Sequence, residues 1–356
     1  MCEAGALPGV LLSSKYVSVR KTILFPVFVL LPLLSNKEVR MKLGLEYFID
    51  DATYAHVEEI RRLSASIMGS SNKKPQVDLL TDDGLKAARS QLRHRPPDQR
   101  AVECLAISGS QQVPVRIITP RRDPAHAVYL QIHGGGFYMD SATRSDVNNV
   151  VLADTLQVVV VSVDYRLAPE YPWPAAPNDC ETAAIWLAEE AESLFGTGRL
   201  LIGGASAGAN LVMTTLLRLR DRDLMSPFAG AVLQFGAYDL SGQSPGGRLY
   251  ADEQFIQLYA GNVTDRSNPD ISPLYGDLKN LPPTLLVVGS DDLLLEDSLA
   301  LAGRLSVAGN DVDLRIYPEA FHGFTSFPSG MASTALADIN LWCAQRLGDN
   351  CRFRVE

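Results

Sequence analysis

A series of nearly continuous apolar runs, spaced by helix-length stretches, constrains this chain more than any other feature. "AVYLQIH" (127–133), "VVVVSVDY" (158–165), "GRLLIGGA" (198–205), "AGAVLQFG" (229–236) and "TLLVVGS" (284–290) read as strands that have no polar face. Such strands must be covered on both sides, so the chain is an α/β protein with a mostly parallel sheet between helical layers. Helices are expected near 179–193, 209–222, 296–308 and 332–347, with a last strand at "DLRIYPE" (313–319). Two further strands, "AVECLAIS" (101–108) and "VPVRIITP" (113–120), open this core. Before them, 45–68 and 80–93 read as helices broken by "MGSSNKKPQ". The polar stretch 240–275 interrupts the alternation after a strand's carboxyl end, where an insertion tends to overlie a site. The expected division is an extension over 1–40, a helical cap segment over 41–95 and a core over 96–356, to whose cap the 240–275 insertion contributes.

A length of 356 residues, 46% of them hydrophobic, supplies a large core. The net charge of −9 argues against a nucleic-acid partner. The five cysteines are odd in number and widely spaced, without metal-ligand or redox spacing, so free thiols in a reducing compartment are expected. "TILFPVFVLLPLL" (22–34) is shorter than the roughly 20 residues a membrane span needs, and Pro26 and Pro32 interrupt it. It fits the length of a signal core, yet it starts late and no A-x-A-like cleavage site follows. From Met41 onward "MKLGLEYFIDDATYAHVEEIRRL" is amphipathic and charged, like the start of a soluble protein. A cytoplasmic protein is therefore expected, with membrane attachment or export through residues 22–34 as the alternative.

Chemistry enters at Gly204-Ala205-Ser206-Ala207-Gly208, set between an expected strand and helix. A nucleophilic serine in a strained strand-to-helix turn needs nearly side-chain-free neighbours two positions away on each side, which this run supplies. A serine hydroxyl also needs a base, usually a histidine oriented by a carboxylate. His322, in "EAFHGFTSF", is the one histidine after Ser206 and directly follows the last expected strand. The carboxylate is sought in "VVGSDDLLLEDS" (287–298). Asp291 and Asp292 stand at the strand's end, while Glu296 and Asp297 read as first-turn residues of the next helix. Spacing leaves Asp291 and Asp292 both open. "IHGGGFY" (132–138) follows a strand, and its consecutive glycines let backbone N–H groups converge on an oxyanion. It lacks the G-x-G-x-x-G spacing of a dinucleotide loop.

Taken together, HGGGF (133–137), "DYRLAPEYPWPAAPND" (164–179), GASAG (204–208), "SPLYGDLKNLPPTLLVVGSDD" (272–292) and "FHGF" (321–324) resemble the hormone-sensitive-lipase-like branch of α/β-hydrolase carboxylesterases. The motifs run in the family's order over residues 41–347. The resemblance implies an α/β-hydrolase fold under a helical cap, with Ser206 as nucleophile, His322 as base and Asp292 as acid. It places the oxyanion donors at Gly135, Gly136 and Ala207 and makes His133 structural. It also implies a buried polar network of Asp164, Arg166 and Glu170. The family carries Asp or Thr where this chain has Ala205, and proline where it has Leu293. Phe137 and Tyr138, with Tyr47, Phe48 and Tyr54 of the cap, are candidates to line an acyl pocket. The expected reaction is hydrolysis of short- to medium-chain carboxylic esters, with no metal and no cofactor. The partner expected is a small-molecule ester, and a homodimer is compatible with the family. An amide deacylase with the same triad is the alternative enzyme, a membrane-tethered deacetylase a further option, and a non-catalytic small-molecule receptor the reading outside enzymes.

Overall fold

The computed structural model describes residues 50–71, 77–92, 95–122 and 124–348. The expectations for residues 1–40 and for Tyr47, Phe48, Cys2 and Cys351 fall outside these. The core is a sheet of strands β1 (Val102–Ser108), β2 (Gln111–Ile118), β3 (Val128–Ile132), β4 (Val159–Val163), β5 (Leu200–Ala205), β6 (Phe228–Gln234), β7 (Thr284–Gly289) and β8 (Val312–Tyr317). Their spatial order is β1-β2-β4-β3-β5-β6-β7-β8. β1 and β2 form an antiparallel hairpin, β2 is antiparallel to β4, and every pairing from β4 through β8 is parallel. The wholly buried β4 and β7 behave as their nearly continuous apolar sequences require, with Ser162 and Thr284 as the polar exceptions.

The helices are α1 (Asp51–Tyr54), α2 (Val57–Ser71), α3 (Asp82–Ser90), α4 (Asp146–Leu156), α5 (Ala175–Phe195), α6 (Ala207–Asp221), α7 (Gln254–Ala260), α8 (Leu295–Val307) and α9 (Gly330–Leu347). One sheet face carries a core built with α5, α6 and α8, including Leu187, Leu211, Leu216 and Leu301. The other carries a core built with α2, α4 and α9, including Ile60, Leu156, Ile339 and Trp342. The first expected helix is broken at Ala55 and His56, so that Val57 and Ile60 of α2 meet α9. Among the described residues, no helix is long and apolar enough to cross a membrane. Cys104, Cys180 and Cys343 are free thiols.

Helix α4 was not expected from the sequence, and its polarity explains why. Val147 and Val151 point to solvent, whereas Asp146 and Asn149 are buried. Asp146 accepts two hydrogen bonds from the Arg116 guanidinium of β2, at 3.0 and 2.7 Å, and Asn149 donates to Ser162 Oγ of β4 at 2.6 Å. A buried face that is polar at Asp146 and Asn149 and apolar only at Ala153 and Leu156 has no continuous apolar stripe for a periodicity reading to find.

Two features of this framework place the site. The chain runs from β3 to β4 on one side and later inserts β5 on the other, so the direction of strand addition reverses between β3 and β5. A doubly wound sheet leaves a crevice at the carboxyl ends of two such strands. The 240–275 insertion is tied down at its ends. Asn210 of α6 donates through one side-chain amide to Ala237 O at 2.7 Å and Ile271 O at 3.0 Å. Arg218, also on α6, binds both oxygens of Asp270, at 2.6 and 2.7 Å, and Trp173 Nε1 donates to the same carboxylate.

Candidate active site

At the crevice, β5 ends in Ala205 and α6 begins at Ala207, which leaves Ser206 to make the turn. Its backbone is at φ 55°, ψ −119°, a conformation that side chains rarely adopt. The turn holds only because its flanks lack side chains. A Cβ on Gly208 would stand 2.2 Å from Ile132 O and 2.5 Å from His133 O, and one on Gly204 would stand 2.6 Å from the Gly208 carbonyl. The elbow is thus clamped against the end of β3, and the same clamp brings the serine beside the glycine loop that leaves that strand.

Ser206 Oγ lies 3.0 Å from His322 Nε2. His322 Nδ1 lies 3.0 Å from each oxygen of Asp292. Asp292 is almost wholly buried and accepts a further bond from Leu294 N at 2.8 Å, while Asp291 is exposed on the other side of the turn. Of the two aspartates that spacing left open, the structure brings Asp292 to the histidine. The His322 ring meets Phe235 edge to face at 5.1 Å, which fixes its tilt without using either nitrogen.

The loop after β3 turns back at Gly135, at φ 105°, and Gly136, at φ 60°. A Cβ on Gly135 would stand 2.1 Å from Met139 O. Among the described residues, the N–H groups of Gly135, Gly136 and Ala207 have no hydrogen-bond partner. Several groups support this loop from outside it. His133 stacks on Tyr165 with ring centroids 4.1 Å apart. Its Nδ1 lies 2.8 Å from Gly134 O, and burial pushes its pKa down, so the ring is neutral and donates that bond. The Tyr165 hydroxyl donates to His133 O at 3.0 Å and Gly134 O at 3.2 Å.

The sequence reading missed Arg89 of α3. It donates to Tyr138 O at 2.8 Å and Ala168 O at 2.9 Å while pairing with Glu170, joining the helices before the core to the glycine loop that follows β3. An isolated arginine in an amphipathic helix carries no local signal of such a role. The single buried network expected of Asp164, Arg166 and Glu170 is not formed. All three are exposed and serve separate partners. Asp164 accepts from Ala142 N, Arg166 pairs with Asp179 and Glu170 with Arg89. Asp297 also differs from a plain first-turn residue. It is buried, and its Oδ1 accepts from Tyr238 N, Asp239 N and the Tyr250 hydroxyl at 2.7–2.9 Å. Burial outweighs those donors and pushes its pKa up to about 7.

A cavity of about 2210 Å³ opens over Ser206. It is bordered on one side by Tyr138, Leu249, Tyr250 and Phe255 and on the other by residues of α2, α4 and α9. Phe137 reaches its edge, but the ring is fully buried and stacked on Tyr259 at 3.9 Å. Tyr138 is partly exposed to the cavity, and Tyr54 is half exposed and does not border it.

The family described as alpha/beta hydrolase fold matches residues 129–326. The chain is 31% identical to the esterase LipI of Mycobacterium tuberculosis, over 77% of this chain and 96% of that protein. It is 32% identical to an ethyl acetate hydrolase of Pseudomonas putida, over 64% of this chain and 76% of that one. Among solved structures, it superposes on EstE7, a hormone-sensitive-lipase homologue from a metagenome library, with a TM-score of 0.66 and 30% identity. That superposition covers 81% of this chain and 99% of the other.

Proposed function

The chain belongs to the hormone-sensitive-lipase-like branch of the α/β-hydrolase family, and from that premise we propose a serine carboxylesterase that works through Ser206, His322 and Asp292. The observation that carries the reading is the relay itself, in which His322 is within 3.0 Å of Ser206 Oγ on one nitrogen and of Asp292 on the other. Asp292 holds the proton on Nδ1 and leaves Nε2 free to accept from the serine. The serine oxygen attacks the ester carbonyl, and negative charge develops on the carbonyl oxygen. The unengaged N–H groups of Gly135, Gly136 and Ala207 are placed to receive that charge, each such donor lowering the barrier by about 2.7–4 kcal/mol. His322 then gives its proton to the departing alcohol. Water, activated by the same nitrogen, attacks the acyl-enzyme and releases the acid.

The 240–275 insertion and the segment containing α1 to α3 form the cover of this site in our reading. Tyr138, Leu249 and Phe255 offer apolar surface to an acyl chain, which suits acetyl to hexanoyl groups. The test is hydrolysis of p-nitrophenyl esters from C2 to C16 by the wild type and by Ser206→Ala. Short-chain activity that falls by about 10⁴-fold or more in the variant is expected. An inert wild type that is well folded would overturn the proposal.

A further inference from the structure

The relay accounts for the top of the cavity but not for the space beneath it, on the sheet face covered by α4 and α9. The strand registers show how that space arises. Gln131 of β3 pairs with Gly203 of β5, and Ala205 of β5 pairs with Gln234 of β6. Paired residues, and residues two apart along a strand, point to the same face. The two glutamines therefore flank a strip of β5 whose side chains are a hydrogen and a methyl group. The result is a trough that starts at the residue before the nucleophile and runs down between two amides. At its lower end lies the phenol of Tyr129, where a Cβ on Gly203 would stand.

Leu152 and Ile339 border the cavity on this face too, but the amides that flank the trough have hydrogen-bonding capacity to spare. The Gln131 amide makes one long contact, 3.5 Å to its neighbour Ile132 O. Gln234 Oε1 accepts from Thr325 Oγ1 at 2.9 Å, and its amide N–H groups have no partner among the described residues. Asn340 of α9 borders the same cavity, and its side-chain amide has no hydrogen-bond partner among the described residues. These half-buried amides face the open cavity, where water or the polar groups of a ligand can pair with them. An apolar chain laid in this trough would leave them unpaired.

We propose that this recess holds the alcohol portion of the ester, and that the substrates are esters of alcohols bearing further hydroxyl or amide groups. The assignment rests on the esterase reading above, because it follows from which side of the relay the leaving group departs. The leaving oxygen must face His322 Nε2 to take its proton. Thr325, which binds Gln234 in the recess wall, lies three residues beyond that histidine on the same loop. The oxyanion-side glycines and the apolar surface of Tyr138 and Phe255 border the cavity with the acyl group.

The experiment compares kcat/KM of the full-length protein for glycerol 1-monoacetate and for propyl acetate, which have the same acyl group and carbon count. A preference of about tenfold or more for the glycerol ester is expected, and it should shrink in Gln131→Leu. Asn340→Leu, on a partly exposed helix face, gives the same reading without altering a central strand. Propyl acetate hydrolysed as fast as the glycerol ester overturns the recess and leaves the esterase standing. A hydroxyl preference found in the acyl half, with ethyl 3-hydroxybutanoate favoured over ethyl butanoate and glycerol 1-monoacetate not favoured over propyl acetate, overturns the assignment to the alcohol. Hydrolysis of none of these esters overturns the esterase reading and the recess with it.

Discussion

The elbow at Ser206 and the glycine loop at 133–136 are both strained turns at the carboxyl ends of neighbouring strands, yet they are held in different ways. The elbow is held by exclusion, since Gly204 and Gly208 touch the end of β3 so closely that no side chain fits at either position. The loop is held by attachment, through the Tyr165 hydroxyl, the His133 stack and the Arg89 bonds to Tyr138 and Ala168. Exclusion is written in the residues of the turn itself. Attachment is written elsewhere in the chain.

The difference can be broken first at the elbow. Gly208→Ala forces a Cβ to within 2.2 Å of a backbone carbonyl, with no flexible neighbour to give way. It should lower Tm by about 5 °C or more, or prevent soluble expression, as strain of over about 4 kcal/mol would in a domain of this size. Gly135→Ala should act more on rate than on folding. Its φ of 105° suits only glycine, and the loop must re-form with a donor misplaced. A fall in kcat of about 10²–10³-fold, with KM little changed, is expected from steady-state kinetics.

Tyr165→Phe addresses attachment alone. Losing the hydroxyl leaves the buried carbonyl of His133 short of a donor, while Gly134 O keeps its bond from His133 Nδ1, for a stability loss of about 1–3 kcal/mol in denaturant titration. A smaller fall in kcat than that of Gly135→Ala should accompany it. An unchanged Tyr165→Phe enzyme would mean that the loop, like the elbow, is held by its own residues.

The mildest change lies on α8 and engages neither turn. The folded state binds a proton on Asp297 more tightly than the unfolded chain, because its pKa rises from the usual carboxylate value to about 7. Ionising it is therefore destabilising, by an amount that grows from about pH 4 to about pH 7 and is constant above. Asp297→Asn should gain stability relative to wild type across that interval, with both turns undisturbed. A Tm difference that does not vary with pH would show that the buried carboxyl keeps its ordinary pKa.

The contrast between exclusion and attachment also sets what could be read from sequence. Continuous apolar runs gave the parallel strands and their order along the chain, because burial on both faces leaves no other pattern. GASAG marked Ser206 as the candidate nucleophile, and His322, as the one histidine downstream, was the candidate base. Asp292 could not be separated from Asp291 by spacing, since adjacent residues at a strand end differ only in where the turn points them. Arg89 and Tyr165 act on a loop far from them in the chain, so nothing in their neighbourhoods signals it. Helix α4 escaped notice because its buried face carries Asp146 and Asn149, partners for Arg116 and Ser162 that only the folded sheet supplies.

The single amide of Asn210 that holds Ala237 and Ile271 together turns the intervening chain into a closed bight with its neck pinned to α6. Tyr238, Tyr250 and Tyr259 within it are packed into the core, but the more exposed run 261–269 can lengthen at little entropic penalty, since doubling such a loop costs only about 0.6 kcal/mol in closure entropy. The neck, not the loop, carries the attachment, so residues added within 261–269 would enlarge the segment we propose as the cover while the strands beneath keep their pairing.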